Sequence, residues 1–178
     1  MQSFDFSKDF FNLFGLNRCY HLDSAGLEVQ FRALQARVHP DKSAHLSDAE
    51  QRLAMQRSTL VNEAYQTLKS PIRRARYLLS LHDVDTQEET NTVMPIDFLM
   101  AQMELREAVE AALQAQDISA LDEQAAHLTT DTRALEAELA EQIDTVQNYQ
   151  AAAGLVRKLR FMEKLAEEIA SAYDELDN

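Results

Sequence analysis

The sequence predicts an all-α protein built from two helical domains, and three observations lead to this prediction. Hydrophobic residues make up 46% of its 178 residues, yet the chain contains only 3 glycines and 3 prolines to interrupt helices. Alanine, leucine, glutamate and glutamine, which favour helices, are abundant. Apolar side chains also recur at spacings of three and four residues, which is the period of an amphipathic helix.

The first elements in chain order are a short helix and a longer one. Phenylalanines in "FDFSKDFFNLFGL" cover most sides of the short helix, so it must be buried, and Gly15 ends it. Asp23 can accept hydrogen bonds from the first free amides of the second helix. One face of this second helix carries Leu27, Phe31, Leu34 and Val38. That face is predicted to lie in the core.

A third helix begins at a capping box, in which Ser47 and Glu50 can bond each other's backbone amides. Its apolar face carries Leu53, Leu60, Ala64 and Leu68. Because a short loop joins helices of similar length, the second and third helices are predicted to pack antiparallel as a hairpin. Pro71, which suits a first turn, then starts a fourth helix in "SPIRRARYLLSL".

Residues 84–94 show no apolar period and are interpreted as a linker. Pro95 restarts ordered structure, and three long amphipathic segments follow it. Their apolar stripes are Phe98, Leu105, Val109 and Ala112; then Leu121, Ala125, Leu128, Leu135, Leu139 and Ile143; and finally Ala152, Leu155, Leu159, Met162, Ala166, Ile169, Tyr173 and Leu176. Three helices with one stripe each predict a three-helix bundle over residues 95–178.

The charge of the chain is divided unevenly between these two parts. Residues 1–94 carry 11 basic and 12 acidic side chains, whereas residues 95–178 carry 6 and 18. A domain this acidic would repel nucleic acid, so the expected partners are proteins. The single Cys19 can form no internal disulfide, and the start "MQSFDFSKDF" lacks the basic end of a targeting peptide. With no long apolar stretch either, a cytoplasmic protein that does not bind membranes is expected.

The sequence "HPDK" at residues 39–42 falls at the tip of the predicted hairpin. Pro40 lacks an amide hydrogen and keeps His39 out of the helical region, so the second helix must stop there. The stiff turn presents the His39 imidazole and the Asp41 carboxylate outwards at little entropic cost. As a tripeptide HPD is weak evidence of function, but its place at the tip of a helical hairpin predicts a contact site for another protein.

A second apolar face is predicted on the first bundle helix, on the side opposite its core stripe. It consists of Ile96, Leu99, Met100 and Met103, with Glu104 and Glu107 beside them. Phe161 also lies off the stripe of its own helix, and the basic residues around it are Arg157, Lys158, Arg160 and Lys164. Exposed apolar and methionine side chains of this kind are typical of protein-binding patches. The alternative is that they pack under the linker or against the first domain.

Six segments of the chain resemble the HscB family of J-type co-chaperones, in the family's order and at close to its spacing. They are "DFFNLFGL", "YHLD", "HPDK", "SPIRRARYLLSL", "FLMAQMELRE" and "RKLRFMEKL". The resemblance covers nearly the whole chain and implies a J domain over residues 1–83, followed by the linker and a client-binding bundle. It further implies that the protein binds an iron-sulfur cluster scaffold protein of the IscU type. The client would be delivered to an HscA-type, DnaK-class chaperone, whose ATPase is stimulated.

The resemblance also implies which residues form the binding sites. The chaperone-binding residues are then His39, Pro40, Asp41 and Lys42, together with Arg32 and Arg37. Many J domains carry a run of lysines where this chain has only the two arginines, so a weaker electrostatic contact with the chaperone is expected. The alternative for Arg32 and Arg37 is that they are solvated surface charges. The scaffold-binding residues are then Leu99, Met100, Met103, Glu104, Glu107 and Phe161. Met103 stands where leucine is common, a change of little cost.

Residue patterns typical of other functions are weak in this sequence. A metal site built from His39, Asp41 and His45 is disfavoured, because a rigid proline separates the first two and no second cluster completes it. Without a glycine-rich phosphate loop or a nucleophile elbow, no catalytic residue, enzymatic activity, cofactor or metal is predicted. The open alternatives are a J-domain co-chaperone for a different client and a purely structural helical adaptor. The protein is expected to be a monomer.

Overall fold

The computed structural model describes residues 9–38, 47–88, 90–91 and 93–176, and no β-strand occurs among them. The helices are α1 (Phe10–Leu13), α2 (Ser24–Val38), α3 (Asp48–Lys69), α4 (Pro71–Ser80), α5 (Ile96–Gln114), α6 (Ile118–Ala140) and α7 (Tyr149–Leu176). A π-helical turn, Glu141–Val146, follows α6 directly. Contacts divide the chain into two compact units, Met1–Leu81 and His82–Asn178. The predicted all-α fold class is confirmed.

The short helix α1 is held at both ends and by one aromatic ring of α4. Asp9 caps its first turn with its carboxylate, and Gly15 ends it with a φ of +67°, a left-handed conformation that suits glycine. Phe11 is completely buried, as predicted. The ring of Tyr77 stacks on Phe10 with centroids 4.3 Å apart, and its hydroxyl accepts a hydrogen bond from the Phe10 amide at 2.9 Å.

Helices α2 and α3 form the predicted hairpin. Phe31 of α2 stacks on Tyr65 of α3 with ring centroids 3.9 Å apart, and Leu27 is completely buried. The capping box at the start of α3 is present, with the Ser47 amide donating a hydrogen bond to Glu50 Oε2 at 3.0 Å. The apolar faces predicted for α2 and α3 therefore meet in a packed helix pair.

A single residue in an extended conformation, Ser70, separates α3 from α4. Pro71 occupies the first turn of α4, as predicted, and the Ser70 hydroxyl accepts a hydrogen bond within that turn. The buried Arg74 guanidinium donates to the Leu68 carbonyl at 2.5 Å and lies 5.0 Å from the centroid of the Tyr20 ring. Since a buried cation needs partners of this kind, Arg74 fixes α4 against the end of α3 and the loop before α2.

The second unit is a three-helix bundle of α5, α6 and α7. Its core is a cluster of buried residues from all three helices, namely Ala112, Leu121, Leu128, Met162, Leu165, Ile169 and Ala172. The predicted stripe of α5 packs against this cluster through Phe98, Leu105 and Val109. The bundle and the side of α5 that faces its core are therefore as predicted.

One predicted core residue of α7 is wrong. Ala166 is exposed, and its neighbour Leu165 is buried instead. The buried face rotates along α7, since Val156 is also buried and lies about 180° around the helix from Leu165. Residues 82–86 contact the first turns of α7. A single apolar stripe along α7 does not predict this contact.

Residues 84–94, predicted as a linker, belong to the second unit. The Arg157 guanidinium of α7 donates a hydrogen bond to the Thr86 carbonyl at 2.9 Å. The preceding His82 stacks on Tyr149 at the start of α7, with ring centroids 3.9 Å apart. The domain bounds derived from the sequence stay a prediction.

Candidate partner-binding surfaces

Large apolar side chains are exposed along the first two turns of α5. The exposed fraction is 76% for Ile96, 37% for Leu99, 56% for Met100 and 59% for Met103. Their polar neighbours Glu104 and Glu107 are exposed as well. We call six residues the α5 surface: Leu99, Met100, Met103, Glu104 and Glu107 of α5, and Phe161 of α7.

The five α5 residues of the α5 surface lie on the side of the helix that points away from the bundle core. At about 100° per residue, Leu99, Met103 and Glu107 span about 80° of the helix circumference, whereas Phe98 and Leu105 pack against the core. Removing apolar surface from water stabilises a protein or a complex by about 25 cal/mol per Å². Exposed apolar side chains forgo this stabilisation until a partner covers them. An apolar strip with carboxylates beside it is therefore suited to cover the apolar surface of a partner.

Phe161 takes part in the packing between α5 and α7. It is half-buried, and its ring meets the Phe98 ring edge to face, with centroids 6.2 Å apart and an interplanar angle of 87°. Lys158 Nζ lies 5.7 Å from the centroid of the same Phe98 ring. The structure thus places Phe161 against the residue that precedes Leu99, and a role for Phe161 in binding stays a prediction.

The basic residues around Phe161 have different environments. Arg157 is turned towards the Thr86 carbonyl, and Arg160 Nη1 pairs with Glu163 at 2.9 Å. Lys164 is exposed. These side chains therefore do not share a single exposed basic patch, because Arg157 instead holds the segment before α5.

Gln102 is a residue of α5 that the sequence analysis missed. Its side chain is only 6% exposed, and its Oε1 has no hydrogen-bond partner among the described residues. It lies one turn after Phe98 and three residues before Leu105, so it interrupts the apolar stripe of the helix. That interruption was the available signal, since a polar residue inside an apolar stripe is either paired or costly.

Replacing Gln102 by leucine is expected to raise the free energy of unfolding by about 1–2 kcal/mol, because the change removes a buried unpaired acceptor at similar volume. Urea unfolding followed by far-UV circular dichroism measures the difference. Gln114→Leu is the matched control on the same helix, where the glutamine is exposed and bonds Glu110. A Gln102→Leu protein no more stable than the unchanged one would contradict the prediction.

The four residues predicted at the hairpin tip lie outside the described part of the structure: His39, Pro40, Asp41 and Lys42. The two arginines predicted beside them are described, and both are exposed. Arg32 forms an ion pair with Glu28, one turn away on α2. Five positions correspond to about 140° around a helix, so Arg32 and Arg37 lie on different faces of α2.

No metal-binding cluster is found in the part of the chain that the structure describes, where no three His, Cys, Asp or Glu side chains could hold an ion together. The combination of His39, Asp41 and His45 falls outside those residues. Over the same described ranges, every helix is too short or too polar to cross a membrane.

Comparison with known proteins identifies both parts of the chain. Residues 94–170 match a family model described as the HSCB C-terminal oligomerisation domain. A co-chaperone protein HscB homolog from Chromobacterium violaceum is 54% identical over 172 residues, which are 97% of each chain. The homolog from Azoarcus sp. is 45% identical over 174 residues, or 98% of each chain.

Solved structures of the same family share the architecture. The chaperone HscB from Vibrio cholerae superimposes with a TM-score of 0.85 at 40% identity, covering 95% of this chain and 99% of that one. The human co-chaperone HscB gives a TM-score of 0.86 at 30% identity and covers 93% and 82%. The chain therefore belongs to the HscB family, the J-domain co-chaperones of iron-sulfur cluster assembly.

Proposed function

We propose that this protein binds an iron-sulfur cluster scaffold protein through the α5 surface and delivers it to an HscA-type, DnaK-class chaperone, whose ATPase it stimulates. The J domain, residues 1–83, meets the chaperone, and the bundle, residues 95–178, holds the client. The protein acts in the cytoplasm as a monomer. It catalyses no reaction itself and uses no cofactor or metal.

The observation that carries the client half of this proposal is the exposure of Leu99, Met100 and Met103 on a helix whose opposite side completes the bundle core. A few well-packed side chains near the centre of an interface supply most of its binding free energy. Methionines adapt their shape to a partner at low cost. The exposed carboxylates of Glu104 and Glu107 would select a partner with basic groups around its own apolar patch.

The chaperone half rests on the helical hairpin and on the sequence at its tip. Pro40 fixes the direction of the chain, so that His39 and Asp41 reach the chaperone without a large loss of entropy. The Asp41 carboxylate can pair with an arginine of the chaperone. If the tip binds the hydrolysis-competent state of the chaperone more tightly than its other states, that state becomes more populated and ATP hydrolysis accelerates.

The steady-state ATPase rate of the organism's HscA-type chaperone tests the proposal. It is measured alone, with this protein, and with this protein and the scaffold together. We expect stimulation by this protein that grows when the scaffold is added. Stimulation that is indifferent to the scaffold would indicate a different client, whereas no stimulation at all would favour the structural adaptor.

A further inference from the structure

A cleft between α5 and α7 lies beyond the α5 surface and has no part in the function proposed so far. Its volume is about 220 Å³. Its floor is apolar, with Val109 and Leu113 from α5 and the buried Leu165 and Ile169 from α7. Small-molecule sites usually measure about 300–1,000 Å³, so this cleft is the size of one large side chain and too small for a typical cofactor.

The rim of the cleft is acidic. At one end Arg106 Nε and Nη2 donate to the two carboxylate oxygens of Glu168 at 2.8 and 3.0 Å. The hydrogen bonds to Glu168 raise the pKa of the Arg106 guanidinium. The opposite charges of the two side chains cancel. Glu110 and Glu175 are exposed on the remaining rim. Both carboxylates lie in a domain with 18 acidic and 6 basic side chains, so the cleft attracts cationic groups.

One edge of the cleft, formed by Arg106 and Glu110, continues the α5 surface along α5. At about 100° per residue, Leu99, Met103 and Glu110 lie within about 40° of one another on the helix circumference. Arg106, at the near end of the cleft, is one turn beyond Met103. From Leu99 to Leu113 the strip extends about 21 Å along the helix, a length that one protein partner can cover.

We propose that this α5–α7 cleft is a second part of the client-binding site, which takes one large apolar side chain of the scaffold protein flanked by lysine or arginine. The inference rests on the proposed function, because the occupant is the same scaffold. A second copy of this chain fits the cleft poorly, since its bundle is itself strongly acidic and would meet the carboxylate rim with like charge.

Filling the cleft is the first test. Ser171 lies on its rim, is exposed, and donates a hydrogen bond of 3.0 Å from its hydroxyl to the Glu167 carbonyl of its own helix. Ser171→Trp therefore adds bulk over the cleft without removing a core group. We expect the affinity for the scaffold, measured by titration calorimetry, to fall about tenfold. Ser119→Trp, at an exposed position of α6, is the matched control and should bind normally.

Reversing the rim charge is the second test and leaves the core untouched. Glu110→Lys is expected to weaken scaffold binding about fivefold at low salt, and the difference should shrink as the salt concentration rises. Glu138→Lys, an exposed position of α6, is the control with the same change in net charge. An equal effect of both lysines would mean that overall charge, and not the cleft, controls affinity, which would overturn the proposal.

The two proposals fail in different ways. If Leu99→Ala combined with Met103→Ala weakens scaffold binding while Ser171→Trp and Glu110→Lys bind like the unchanged protein, the α5 surface stands and the cleft proposal is wrong. If the unchanged protein does not bind the scaffold, both proposals fall together. If Ser171→Trp instead abolishes a dimer detected by light scattering, the occupant is a second copy, and the assignment to the scaffold is overturned.

Discussion

Replacing Leu99 and Met103 together by alanine is expected to lower the affinity for the scaffold protein about 100-fold or more. The two side chains lie one turn apart at the centre of the α5 surface, where truncating a single anchor commonly costs about 2 kcal/mol of binding free energy. Neither belongs to the bundle core, and 37% of Leu99 and 59% of Met103 is already exposed in the free protein. Binding should therefore be lost while the fold is kept.

Titration calorimetry with the scaffold measures this loss, and urea unfolding measures the stability of the same variant. We expect the free energy of unfolding to change by less than about 1 kcal/mol. The matched control is Val29→Ala combined with Met55→Ala, which truncates two apolar side chains of the first unit that are 64% and 63% exposed. Scaffold affinity that is unchanged by Leu99→Ala and Met103→Ala would show that the client binds elsewhere.

Replacing His39 by glutamine is expected to abolish stimulation of the chaperone ATPase and to leave scaffold affinity unchanged. Glutamine keeps a polar side chain of similar size but loses the imidazole ring, while Pro40 and Asp41 are unchanged. Because the client would be held by a different unit, the two functions should separate in this one variant. Steady-state ATPase rates and calorimetry with the scaffold, on the same preparation, provide both measurements.

The control for His39→Gln is His127→Gln, which makes the same change at an exposed position of α6. It should stimulate the chaperone like the unchanged protein. Full stimulation by the His39→Gln variant would show that the hairpin tip takes no part in stimulating the chaperone ATPase. Loss of scaffold binding in the same variant would mean that the two halves of the proposed function are not independent.

Local signals in the sequence predicted most of the fold. Three helix ends depend on residues close together in the sequence. They are the Ser47 capping box, Pro71 in the first turn of α4 and the end of α1 at Gly15. Such local features can be predicted without the tertiary structure. The apolar stripes of α2, α3 and α5 then predict which side of each helix packs against the core. The exposed apolar strip of α5 was predicted by the same periodicity.

Contacts between distant residues account for what the sequence analysis missed. Ala166 and Leu165 are consecutive apolar residues about 100° apart on α7, and the positions of α5 and α6 decide which is buried. The sequence left open whether Arg157 belongs to an exposed patch or packs under the linker, because its partner is a backbone carbonyl 71 positions away. The acidic cleft is lined by residues of both α5 and α7, so the sequence of either helix by itself does not predict it.

The contact between Tyr77 and Phe10 makes the order of α1 depend on α4. A helix of four residues is far too short to persist alone, since isolated helices below about 12–15 residues are marginal in water. Ring stacking and the hydroxyl bond to the Phe10 amide supply what its own turn lacks. Hydrogen exchange at the Phe10 amide is therefore expected to require the contact with Tyr77 to open, which couples the unfolding of α1 to that of α4.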